Sequence, residues 1–354
     1  MIPYQPPQFF EGDCPLRGAF FGTSAAMLSP RMPAEWEVQA SIWLALPHDQ
    51  EEWGTFYQEA RASVIDLANT LVQTQRVDVL IPDEASAAML DPRIVCHKVP
   101  YGDIWLRDTG PIFVAREHTR EAVDFAFNGW GGKYLFAHDP GVAGEVAKLA
   151  GVKRRPCDLV AEGGALDTNG AGTFLSTREC LLNGNRNPSM DAAQVESALA
   201  DALGCRKVIW LERGLVGDHT DGHVDNIARF TSANSVVCSA PSGKDDPNYD
   251  RLLEIRAVLE SECTADGEAL KIITIPSPGR IEGPSGVMAA SYCNFLIANR
   301  VVIVPTFGVD ADADALGQFA SLFPDRRIIP HPAYALLTGG GTVHCISQQE
   351  PRHD

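Results

Sequence analysis

The chain has 354 residues, 45% of them hydrophobic and 21% charged, a composition that excludes a disordered tail or a fibre. Its 29 Lys and Arg stand against 46 Asp and Glu, a net charge of −17, which disfavours nucleic acid and anionic membrane as partners and suits a cationic small molecule; solubility alone explains such a charge equally well. The longest apolar runs, such as residues 301–307, fall short of the roughly 20 residues that span a bilayer.

Residues 1–31 are rich in Pro, Gly and Phe without a period and are expected to form an irregular arm. They carry no basic stretch followed by an apolar core, so the expected compartment is the cytoplasm. From residue 32 onward strands and helices alternate. Apolar, β-branched segments at 41–47, 76–82, 206–211, 235–240, 271–276, 301–307 and 327–332 stop at Pro, Gly or Asp and predict strands. Between them, apolar residues at three-to-four spacing predict helices over 58–73, 191–202, 248–261 and 312–322, with Asp or Asn near their starts. The class is α/β, the cadence recurs roughly every 60 to 70 residues as a diverged repeat would, and no linker splits residues 32–354, which predicts one domain.

Nine cysteines, an odd number with no CxxC pair, argue against a disulfide framework and a thiolate zinc site. Chemistry is instead concentrated in glycine-rich loops at 103–111, 127–134, 161–170, 217–226 and 336–345. Cys345 ends the run Gly339-Gly340-Gly341-Thr342-Val343-His344, whose glycines let the backbone, at Gly339 and Gly340 above all, approach a ligand closely. Burial as an inert thiol is the usual fate of a cysteine, but such a loop is unnecessary for it.

If residues 223–225 are extended, His223 and Asp225 project to the same side and offer an imidazole and a carboxylate together. His219, His223 and Asp225 also form a donor set that a metallohydrolase could use. Asp108, beside Trp105 and a Gly-Pro turn, suits a cation held by a carboxylate and an aromatic face; a turn in which Asp108 pairs with Arg107 or caps a local N–H explains the segment equally well. Glu162 precedes two glycines and could orient a histidine, or simply face water in a turn.

Taken together, MPAEWE at 32–37, WLRDTGP at 105–111, FNGWGGKY at 127–134, the EGG element with LLNGNRNP, TDGHVDN, ASYCNF at 290–295 and GGGTVHC followed by QQEP resemble the agmatine deiminase and bacterial peptidylarginine deiminase family of the guanidino-group-modifying pentein superfamily. The motifs follow the family order over residues 32–351. The resemblance implies a pseudo-fivefold α/β propeller of ββαβ modules around a central funnel. It also implies Cys345 as nucleophile, His223 as general acid and base, Asp108 and Asp225 as guanidinium-binding carboxylates, Glu162 as the partner of His223 and Trp105 as a substrate-lining residue.

The implied reaction hydrolyses a guanidinium to a ureido product and ammonia through an S-alkylthiouronium, with no metal or organic cofactor. Agmatine is the expected substrate, giving N-carbamoylputrescine. Peptidylarginine or another guanidine, an amidinotransferase reaction, the metallohydrolase and a non-catalytic guanidine-binding protein are the alternatives. One departure bears on specificity: the segment reads DHTDGHVDN where many agmatine deiminases resemble DDTNGHVDN, so His219 and Asp221 leave the distal end of the substrate open. An arginine substrate would want a cationic partner such as Arg107 or Arg280. The oligomeric state is not legible, and a homo-oligomer is compatible with the sequence.

Overall fold

Five times the chain builds the same unit: two antiparallel strands, a crossover helix, and a strand parallel to the second of the pair. The computed structural model describes residues 29–116, 119–284 and 286–352, so nearly all of the arm expected over 1–31 lies outside the described residues.

In the second unit Ile112–Arg116 pairs antiparallel with Thr119–Ala126, and helix Asp139–Leu149 crosses to Lys153–Val160. The third runs Asp167–Thr168, Thr173–Thr177, helix Ala192–Leu203 and Lys207–Leu211. The fourth runs Ala228–Phe230, Ser235–Ala240, helix Tyr249–Glu260 and Lys271–Pro276. The fifth runs Leu296–Ile297, Val301–Thr306, helix Ala311–Leu322 and Arg327–Pro332. The first takes its opening strand from the far end of the chain: Gln348–Pro351 pairs antiparallel with Gln39–Ala45, which continues through helix Tyr57–Leu71 to Val77–Ile81 and a further parallel strand, Val95–Lys98. This is the expected pseudo-fivefold arrangement of ββαβ modules.

Local chemistry explains why the units form. Val301–Val304 is fully buried, as a strand covered on both faces must be. Helix Ala192–Leu203 starts in a capping box between Asp191 and Gln194 and stops at Gly204, whose φ of 76° only glycine adopts without strain. The sequence reading missed Lys153–Val160 because KRRPCDLV is charged. It is an outer strand whose Lys153 and Arg154 pair with Glu121 and Asp124 of its neighbour, protection typical of an exposed edge.

One feature of this topology positions the site. The opening strand of each unit is preceded, within a few residues, by one of the segments that carry Asp108, Glu162, Asp225, Asn294 and Cys345. Repetition of the unit therefore delivers five loops to the same end of the ring. Among the described residues no helix is long and apolar enough to cross a membrane. Among the described residues seven cysteines, including Cys345 and Cys180, are free thiols.

Candidate active site

The loops enclose a cavity walled by Trp105, Asp108, Trp130, Gly339, Gly340 and Cys345, with Asp103, Tyr134, Phe136 and Thr220 completing the lining and the exposed Glu52 and His219 at its mouth. The glycine run is needed for packing. A Cβ on Gly339 would lie 2.7 Å from the Trp53 ring and 3.0 Å from Trp105, and one on Gly341 would lie 2.8 Å from both Trp105 and the Cys345 Cβ. Gly340 adopts φ +115°, outside the range of other residues.

Cys345 is buried, and its Sγ receives an N–H from Asn294 Nδ2 at 3.1 Å and lies 3.6 Å from Asp225 Oδ2. Burial first, and then the charges of Asp225 and Asp108, push this thiol well above its ordinary value. The free site therefore holds a neutral thiol at neutral pH.

The extended geometry expected for residues 223–225 is not found. Gly222 at φ +90° turns the chain, only His223 is extended, and Val224–Asn226 form a single 3₁₀ turn. Asp218 organises this loop by accepting N–H groups from Thr220, His223 and Asn226. His223 and Asp225 consequently acquire different neighbours. Asp225 Oδ2 meets His344 Nδ1 at 2.7 Å, whereas its buried Oδ1 has no partner. Burial opposes ionisation of Asp225, but His344, His223 and Arg229 outweigh it and hold the carboxyl below its usual value.

His223 is wholly buried, with Nδ1 3.8 Å from Asp108 Oδ2 and Nε2 3.7 Å from Glu162 Oε2. Neither distance is a hydrogen bond, and both ring nitrogens are unpartnered. Burial disfavours the imidazolium, but Asp108, Cys180 and Glu162 together hold it well above the ordinary histidine value.

Asp108 lies in the helical turn Leu106–Thr109 and accepts Trp130 Nε1 and the Gly164 N–H, each at 2.9 Å. It does not pair with Arg107, which turns away to Gln348 and Gln349. Glu162 is fixed by Arg186 at 2.7 Å. The two glycines after it have a clear cause: Gly163 packs on the Arg107 carbonyl, and a Cβ on Gly164 would lie 2.5 Å from His223 Nδ1, 2.9 Å from Asp108 and 3.2 Å from Asp225.

His219 stays at the exposed mouth, where Nδ1 meets the Tyr134 hydroxyl at 3.2 Å. The donor set His219, His223 and Asp225 does not converge. Among the described residues, the group whose ligand atoms do cluster is Glu162, Cys180 and His223, where Arg186 holds Oε1 of the glutamate and Oε2 faces the other two. Asp221 is engaged by Lys133, Asn185 and Arg186, and Arg280 pairs with Glu282. The roles of Asn294, Trp130 and His344 escaped the residue-by-residue reading; the motifs ASYCNF, FNGWGGKY and GGGTVHC were the signals that contained them.

Five ββαβ modules around a buried cysteine, imidazole and carboxylates define the pentein class. Residues 31–351 match the model of the Porphyromonas-type peptidyl-arginine deiminase family, and the chain belongs to that family. It is 36% identical over 349 residues to the agmatine deiminase of Stutzerimonas stutzeri, covering 90% of this chain and 95% of that one. The structure superposes on the agmatine deiminase of Enterococcus faecalis with a TM-score of 0.89 at 31% identity, over 92% of this chain and 97% of the other. A cysteine-to-serine variant of the C. jejuni agmatine deiminase with substrate bound superposes with a TM-score of 0.85 at 25% identity, over 98% and 99% of the two chains.

Proposed function

We propose that the chain hydrolyses agmatine to N-carbamoylputrescine and ammonia, with Cys345 as nucleophile. The carrying observation is a buried carboxylate oxygen with no partner among the described residues: Asp225 Oδ1, whose fellow oxygen Oδ2 lies 3.6 Å from the Cys345 sulfur. Buried polar groups are nearly always satisfied, so this oxygen suits a ligand that donates to a carboxylate. A planar guanidinium does so, forked between Asp108 and Asp225 with its carbon over Sγ.

Seating the cation offsets the two carboxylate charges that help hold the Cys345 thiol up, so substrate binding favours the thiolate. The thiolate adds to the guanidinium carbon, and the bond to one terminal nitrogen breaks as His223 gives that nitrogen a proton and ammonia leaves. The remaining S-alkylthiouronium is attacked by water, whose proton passes to His223; the C–S bond then breaks to regenerate Cys345 and release the ureido product. Glu162 supports the imidazolium from its far side, Trp105 and Trp130 wall the cation, and Gly339 and Gly340 let the backbone close over it.

The distal end favours an amine. Among the described residues no Lys or Arg lines the cavity, Arg107 binding Gln348 and Gln349 and Arg280 pairing with Glu282, so a carboxylate of arginine would find no cationic partner among them, while Glu52 stands at the mouth for an ammonium. Residues 32–354 are read as one catalytic unit working in the cytoplasm. Ammonia and product mass measured with agmatine, arginine, peptidylarginine and arcaine test this reading. Agmatine should give the highest kcat/KM and Cys345→Ala none. Ammonia release by Cys345→Ala at the wild-type rate, or a requirement for an acceptor amine, overturns it.

A further inference from the structure

Two sequence motifs take no part in the chemistry above: Glu35, within MPAEWE, and His344, the residue before Cys345. The fold brings them together across 309 positions. His344 is 2% exposed; its Nδ1 lies 2.7 Å from Asp225 Oδ2 and its Nε2 lies 2.9 Å from Glu35 Oε2. Glu35 is itself braced, accepting the Ile297 N–H at 2.6 Å and pairing with Arg229, which in turn holds Asp167.

Burying a histidine between two carboxylates is a costly way to fill space, because each group must be desolvated. What the arrangement achieves is orientation. With Oδ2 of Asp225 committed to His344 and 3.6 Å from the Cys345 sulfur, the carboxylate cannot rotate freely, and Oδ1 is left without a partner among the described residues. The contrast with His223 is informative: the ring proposed to move protons stands 3.7 and 3.8 Å from its carboxylates, whereas His344 is clamped to both of its own.

We propose that His344, braced by Glu35, is a positioning residue that orients Asp225 toward the guanidinium of the substrate. This rests on the deiminase reading above. Its test is kcat/KM for agmatine in His344→Ala, His344→Asn, Asp225→Asn and the double variant Asp225→Asn/His344→Ala. His344→Ala should lose about 100-fold, the cost typical of a misplaced reacting group. The shorter amide of Asn can still donate to Asp225, and should bring the loss back to about tenfold.

The double variant separates positioning from mere support of the fold. If His344 acts through Asp225, removing it from Asp225→Asn should cost less than about threefold; a structural role would repeat the full loss. Should His344→Ala not fold, Glu35→Gln replaces it, with about a tenfold loss expected alone and almost none beside Asp225→Asn. Activity of His344→Ala within about twofold of wild type, or losses that simply multiply, overturns the positioning role. Wild-type protein that releases no ammonia, or Cys345→Ala that does, instead overturns the deiminase reading itself.

Discussion

The floor of the cavity and its mouth are built on opposite terms. On the floor stand Asp108 and Cys345, with Asp225, His223 and Glu162 buried next to them, and all but the His223 ring are held, by Trp130, Gly164, Arg186, His344 and Asn294. At the mouth Glu52 and His219 are exposed, and among the described residues His219 is tied through the Tyr134 hydroxyl and ring. A preorganised floor commits to one chemical group, a planar cation, while a loosely held mouth can vary in what it accepts at the other end.

Breaking the floor should therefore cost most. Cys345→Ala removes the nucleophile, and turnover of agmatine should fall on the order of 10⁶-fold, with binding retained by calorimetry. His223→Asn keeps a polar side chain but cannot shuttle a proton, and kcat should drop by about 10³-fold. Gly164→Ala tests the floor without touching a functional group: its methyl would intrude among His223, Asp108 and Asp225, so activity should disappear from a protein whose fold, read by circular dichroism, is unchanged.

Asp225→Asn sharpens the comparison because two readouts should move in opposite directions. Agmatine kcat/KM should fall about 100-fold as one half of the guanidinium clamp is lost. The Cys345 thiol, however, is held up by burial and then by the Asp225 and Asp108 charges, so the variant should lower it. Thiolate at pH 7 then becomes more abundant, and iodoacetamide should label Cys345 faster than in wild type, with the labelling profile displaced to lower pH. Slower labelling would mean that burial alone controls this sulfur.

These floor residues were legible in the sequence to the extent that their types and glycine-rich surroundings announce chemistry. Cys345 after three glycines and Glu162 before two are examples, and the structure gives the reason, since those glycines pack on indoles and on His223. Strands 235–240, 271–276 and 327–332 were legible for a different reason, being short β-branched runs bounded by turn residues. Lys153–Val160 was not, because its charges answer to a neighbouring strand. The geometry of 223–225 was misread because alternation applies to strands and Gly222 redirects the chain into a turn. His344 was invisible as a positioning residue because its two partners lie 119 and 309 positions away.

Between floor and mouth stands Asp103, which accepts Trp53 Nε1 at 3.1 Å and Trp105 Nε1 at 2.7 Å and so holds Trp105, which lines the cavity, stacked on Trp53. Burial pushes its carboxyl up to about 6. Above that pH both oxygens accept; as pH falls through it, a proton occupies one oxygen and competes with an indole. Agmatine KM should rise below about pH 6, and Asp103→Asn, whose amide nitrogen cannot accept an indole N–H, should show a KM about tenfold higher already at pH 7. The pH response of the variant should be shallower but not flat. Asp139 accepts the Gly102 and Asp103 backbone N–H groups and is also pushed up to about 6, so it loosens the same loop.

The mouth should give the smallest effects, and they should fall on KM. Glu52→Gln removes an exposed charge, whose attraction for a distal ammonium is screened by water and salt, and a rise in agmatine KM of about threefold is expected. His219→Asp restores the residue type that the family pattern carries there and places a second carboxylate beside Tyr134, so agmatine KM should fall by a similar factor while kcat holds. Both shifts should shrink as ionic strength rises. A change in kcat from either substitution would mean that the mouth reaches the reacting carbon and that the division between floor and mouth is wrong; an improvement for arginine in His219→Asp would mean that the distal group is not read by charge at all.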